Sequence, residues 1–188
     1  MTTSTDEQLT DSPGTVEDAL VRAMLSRGLP LDREVTVVAA RDVEGFGALR
    51  AVESGGNLVV AVLPDRGQPR VWLLSVPVDQ AGALGRLVAA ASVAIEAAEP
   101  VPSDEHDMVL LSEVRIGPGE VLRALFLDAD KPDEAGLALW RVEDADGADA
   151  IFTADVVAVG LAHASELCNL VADAVVGRVQ APVGGTLH

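Results

Sequence analysis

The run His163-Ala-Ser-Glu-Leu-Cys168 is the densest set of side chains here whose types could do chemistry. On a helix, His163 and Glu166 lie three apart and share a face. Together they could supply two metal ligands, whereas a site usually needs three or four. Cys168 falls on the opposite stripe with Ala164, Leu167, Val171 and Val175. The spacing therefore reads as a solvated His–Glu pair above a buried structural cysteine, because free Cys is among the most buried residue types. Glu105-His106-Asp107 is half of an acid–base arrangement, and nothing at a defined spacing completes it.

The acidic runs at 128–134 (DADKPDE) and 143–149 (EDADGAD) carry enough carboxylates to attract calcium. Neither keeps the alternating acid pattern with its central Gly and distal Glu. Gly-rich phosphate loops and the nucleophile elbow are missing too. No metal or other cofactor is expected. An enzyme or small-ligand protein with its site near His106 or His163 stays as an alternative.

Positioning elements come from the apolar runs. Thr15 with Asp18 is a variant capping box, and Val16, Ala19, Leu20, Ala23 and Met24 recur at helical spacing. This predicts a helix over 15–27, stopped by Gly28 and Pro30. Strand-like runs follow at 34–40, 47–53, 57–63 and 70–76, and then a long helix at 80–98 with Asp79 as its N-cap. After a linker at 99–107, runs at 108–116, 120–127, 136–142 and 149–154 precede a helix at 157–178. The connections are too short for parallel crossovers, so antiparallel pairing is expected.

The fold class is α+β: an N-terminal helix followed by two tandem antiparallel β-β-β-β-α units with a pseudo-twofold relation. Glu34-Val35 and Glu113-Val114, 79 positions apart, align the halves, as do Leu58 and Leu137. The domain reading is a flexible arm at 1–14, a first unit at 15–98, a second unit at 108–179 and a flexible tail at 180–188.

This element order resembles that of single-stranded nucleic-acid binders of the Pur-alpha and whirly type. That likeness implies basic, aromatic-bearing sheet faces. In size, acidity and class the chain is also similar to small secretion chaperones, which implies an α+β dimer. Charge separates the two. Thirteen cations against thirty acids leave −17, which repels phosphate backbones. No nucleic acid is expected.

Between Ala81 and Ile95 the only charge is Arg86, so that helix needs cover on more than one side. Its face carrying Ala83, Leu87, Ala90 and Ala94 is the candidate partner surface. The expectation is a non-catalytic protein-binding or accessory module, chaperone-like, acting through an acidic surface and an apolar helix face. The partner would be a protein, basic in character, with the chain a homodimer or complex subunit. One cysteine and no secretory signal or apolar run of spanning length point to the cytoplasm and away from membranes.

Overall fold

The computed structural model of the chain describes residues 15–31, 35–65, 71–97, 108–127, 135–143 and 151–180. The arm at 1–14, the linker at 99–107 with His106, the acidic runs at 128–134 and 144–149, and the tail from 181 lie outside them. Helix α1 (Val16–Ser26) starts at Thr15, whose hydroxyl accepts from the Asp18 amide while the Asp18 carboxylate accepts from the Thr15 amide. Four strands follow: β1 (Thr36–Val43), β2 (Gly47–Ser54), β3 (Asn57–Pro64) and β4 (Trp72–Pro77). Helix α2 (Ala81–Ala97) leads to β5 (Met108–Gly117), β6 (Glu120–Leu127), β7 (Gly136–Glu143) and β8 (Ile151–Gly160), and α3 (Ala164–Gln180) closes the order.

All eight strands join one antiparallel sheet in the order β1-β2-β3-β4-β8-β7-β6-β5. Tight turns dictate the pairing. Gly55 and Gly56 both take positive φ between β2 and β3, and Gly119 does so between β5 and β6.

Two boundaries differ from the sequence reading. The helix expected at 157–178 begins at Ala164, and β8 runs on to Gly160. The stretch Val156-Val157-Ala158-Val159 is β-branched at three of four positions, and the sheet takes it as the partner of β7. Asp79 does not cap α2. It sits inside a single 3₁₀ turn, Val78–Gln80, that precedes the helix.

The central strands are β4 and β8, and this decides where the helices go. A chain leaving β4 at the seam crosses to the far half, so α2 lies chiefly over β5 and β6. Likewise α3 lies over β1 and β2. The sequence reading had α2 covered on one side by its own sheet; the strand order places the other half's strands there instead. Together α2 and α3 seal the larger core, with Leu84, Leu87, Leu167 and Val171 over Leu49, Leu58, Leu122 and Leu137. Gly85 lets the helices approach closely, since a Cβ there would stand 3.2 Å from a Val175 methyl. The segment Val78–Glu96 is long and apolar enough to cross a membrane by length and composition; a third of it is buried, on the side of α2 that packs against the sheet and α3.

On the opposite sheet face, α1 seals a smaller core. Leu20 and Met24 cover Val52, Val59, Ala61 and Leu73. One row of side chains crosses the whole sheet: Ala40, Arg50, Ala61, Leu73, Val156, Trp140, Arg123, Glu113. The segments Leu49-Arg50-Ala51 and Leu122-Arg123-Ala124 hold matching places in this row, and a register shift follows Val37 in β1 and Leu110 in β5. Glu113 therefore stands where Ala40 does, and the 79-residue spacing fails to align the first strands. It holds for Leu58 and Leu137, each the second residue of its strand.

Candidate functional site

Alternate turns of an antiparallel meander emerge at the same end of the sheet. The β1–β2 turn and the end of β3 are therefore neighbours, tied by the Asp65 amide donating to the Phe46 carbonyl at 2.8 Å. The N-terminal turn of α1 comes down beside them. Between them lies a groove of about 630 Å³.

Its floor is apolar: Ala48 and Leu63 from the strands, Val16 and Ala19 from α1. Its rim is acidic, with Asp42, Glu44 and Asp65. Arg50, nearly buried below α1, pairs with Asp42 at 2.8 Å and Glu17 at 3.7 Å and donates to the carbonyls of Arg41 and Leu49. That one cation thus ties α1 to the β1–β2 turn and faces two carboxylates. Gly47 sets the groove wall. Its φ is +135°, and a Cβ there would sit 2.2 Å from the Leu63 carbonyl oxygen. A surface with an apolar floor and a carboxylate rim suits a ligand with cationic heads on aliphatic stems.

The sequence reading missed this groove because its parts are far apart in the chain. The available signal was the acid carried by both turns, Asp42 and Glu44 in one and Asp65 in the other.

The structure does not bring the His163 set together as a ligand cluster. The His163 ring lies 4.5 Å from Phe46. Glu166 accepts from Arg41 of β1 at 3.2 Å, and Asp173 from the same arginine at 2.6 Å. Cys168 is buried. Burial pushes its thiol pKa up, against the opposing pull of a hydrogen bond with Ser92. No group of three or more His, Cys, Asp or Glu able to hold a metal occurs among the described residues.

Of the four proposed partner-binding residues, Ala83 and Leu87 lie in the chain's own core. Ala90 is exposed and Ala94 half-buried. The strand arginines divide between the two faces. Arg41 reaches α3, and Arg141 binds Glu120, Asp155 at 3.2 Å and Glu143 at 3.8 Å. Arg123 holds Glu113 at 2.6 Å.

No known protein-family model matches the chain, and no curated protein matches it.

Proposed function

We propose that the chain is a non-catalytic binding module that holds a basic segment of a protein partner in the groove between α1 and the β1–β2 turn. The observation that carries this reading is an acidic rim, Asp42, Glu44 and Asp65, over a floor of Ala48 and Leu63. The net charge of −17 adds a field that draws a basic segment in and speeds its encounter. Single-stranded nucleic acid fits less well, because the strand arginines are engaged with carboxylates rather than gathered on one basic face. The scaffold is read as two β-β-β-β-α units related by a pseudo-twofold axis near Leu73 and Val156. The matched segments around Arg50 and Arg123, the equal 17-residue lengths of α2 and α3 and the paired register shifts support that. The single cysteine suits a reducing cytoplasm.

The test is a photo-crosslinking side chain at Val16, which lines the groove and is exposed, with lysine- and arginine-rich proteins of the source cell identified in the products. The reading expects one dominant adduct that disappears in the double variant Glu44→Gln/Asp65→Asn. Identical products from parent and variant would refute it.

A further inference from the structure

Arg50 is 6% exposed, and a cation buried so deeply is costly unless its charge is answered. Its Nη1 donates to the carbonyls of Arg41 and Leu49 at 3.1 and 3.0 Å and meets an Asp42 carboxylate oxygen at 2.8 Å. Its Nε lies 3.7 Å from a carboxylate oxygen of Glu17. Glu44 and Asp65, the other two acids of the groove rim, are not among its partners. Both are exposed, and the fold holds them close, since the Asp65 amide is tied to the Phe46 carbonyl two residues past Glu44. The rim thus holds two kinds of acid. Asp42, although its side chain is 80% exposed, is answered from below by Arg50; Glu44 and Asp65 are not.

We propose that Arg50 sets the specificity of the groove: by holding Asp42 it limits the site to one cationic head flanked by apolar residues, and it turns away a dibasic pair. The inference rests on the groove being the binding site for a basic segment. The single head lies at Glu44 and Asp65, and the aliphatic neighbours lie on Ala48, Leu63, Val16 and Ala19. A second cation directly beside the first would have to meet Asp42, where a guanidinium is already in place. That guanidinium is part of the chain, so its effective concentration exceeds that of a ligand in solution. A ligand cation that displaced it would also leave Arg50 buried without its nearest carboxylate. The wrong ligand thus meets a like charge, while the right one meets two acids. Arg50 acts through Asp42 and is a positioning residue.

The experiment titrates the full chain with two capped peptides, Leu-Arg-Leu-Leu and Leu-Arg-Arg-Leu, at physiological salt, where the long-range field of the chain is screened. The parent should bind the two within about threefold of each other. Arg50→Gln keeps an N–H donor for the two carbonyls and drops the charge, so the dibasic peptide should then bind at least about tenfold more tightly than the monobasic one. Adding Asp42→Asn should return the ratio to the parent's, because the released carboxylate is gone. Arg86→Met removes the same charge from the exposed side of α2, across the sheet from the groove, and should leave the ratio as it is. A ratio that stays flat in Arg50→Gln, or that rises equally in Arg86→Met, overturns the proposal while the groove stands. If Arg50→Gln fails to fold, carboxyl carbon NMR of the parent decides. Saturating dibasic peptide should shift the Glu44 and Asp65 carboxyl signals and leave that of Asp42 in place; an equal shift at Asp42 overturns the proposal. Failure of both peptides to bind parent and variants alike would defeat the groove itself, and this inference with it.

Discussion

The first half of the sheet carries a helix on its outer face and an acidic groove beside it; the second half carries neither among the described residues. The strands themselves are alike. Leu49-Arg50-Ala51 and Leu122-Arg123-Ala124 occupy the same row, and the inner positions Leu58 and Leu137 are equally buried. The difference lies in what meets the outer face. Ala61 is small and lies buried under α1, whereas the large Trp140 at the matching place is half-exposed. The turns diverge too. Asp42 and Glu44 flank the first β1–β2 turn, while Pro118 and Gly119 make the turn between β5 and β6. A few side chains thus set the two outer faces apart.

The largest expected effect removes the cover of the first half. Met24→Ala deletes a fully buried side chain and should cost about 2–5 kcal/mol. Trp140→Ala, on the half-open face, should cost less than about 2 kcal/mol, since part of its area already meets water. Urea melts of both variants read the contrast, and equal losses would break it.

Next comes Gly47→Ala. A side chain at φ +135° must also push against the Leu63 carbonyl, so a loss of roughly 3 kcal/mol is expected. The matching position in β6 is Glu120, which already bears a side chain. Glu120→Ala acts there only through its pairing with Arg141, and the same melts compare the two.

A smaller effect concerns the start of α1. Thr15→Ala removes the cap and should cost about 1 kcal/mol. Asp18 is held below the ordinary aspartate range, first by the Thr15 backbone hydrogen bond and then by the Thr15 side chain. A lowered carboxylate contributes stability above its unfolded value and loses it as pH falls through the folded one. Acid should therefore loosen the start of α1 as Asp18 protonates, a change visible in the Met24 methyl signal. Thr15→Ala should flatten that dependence.

The smallest effect is at Ala90. Because it is exposed, Ala90→Glu leaves its carboxylate in water and should keep the melting temperature within about 0.5 kcal/mol equivalent. A changed mass in light scattering would instead show that another chain covers this part of α2.

Local signals in the sequence carry much of the fold. Gly55-Gly56 and Pro118-Gly119 mark turns directly, and alternating apolar runs between them give antiparallel strands. Long-range placement was hidden. Nothing near Val156 in the sequence says that it meets Leu73, and only that seam reveals that each helix crosses to the opposite half. The stripe Ala83-Leu87-Ala90-Ala94 shows the limit of reading one helix alone. A heptad spacing does not record that β5 and β6 take one side of α2, which leaves Ala90 outside. The groove was hidden for the same reason, since Val16, Glu44 and Asp65 meet only after the meander folds.

The most direct test of the account is calorimetric titration of the full chain with a short peptide of alternating Arg and Leu, at low and at physiological salt. The account predicts one saturable site whose affinity falls as salt rises and drops at least about tenfold in Glu44→Gln/Asp65→Asn. Trp140→Gln should leave it unchanged. Equal affinity in parent and double variant would contradict the acidic groove as the binding site.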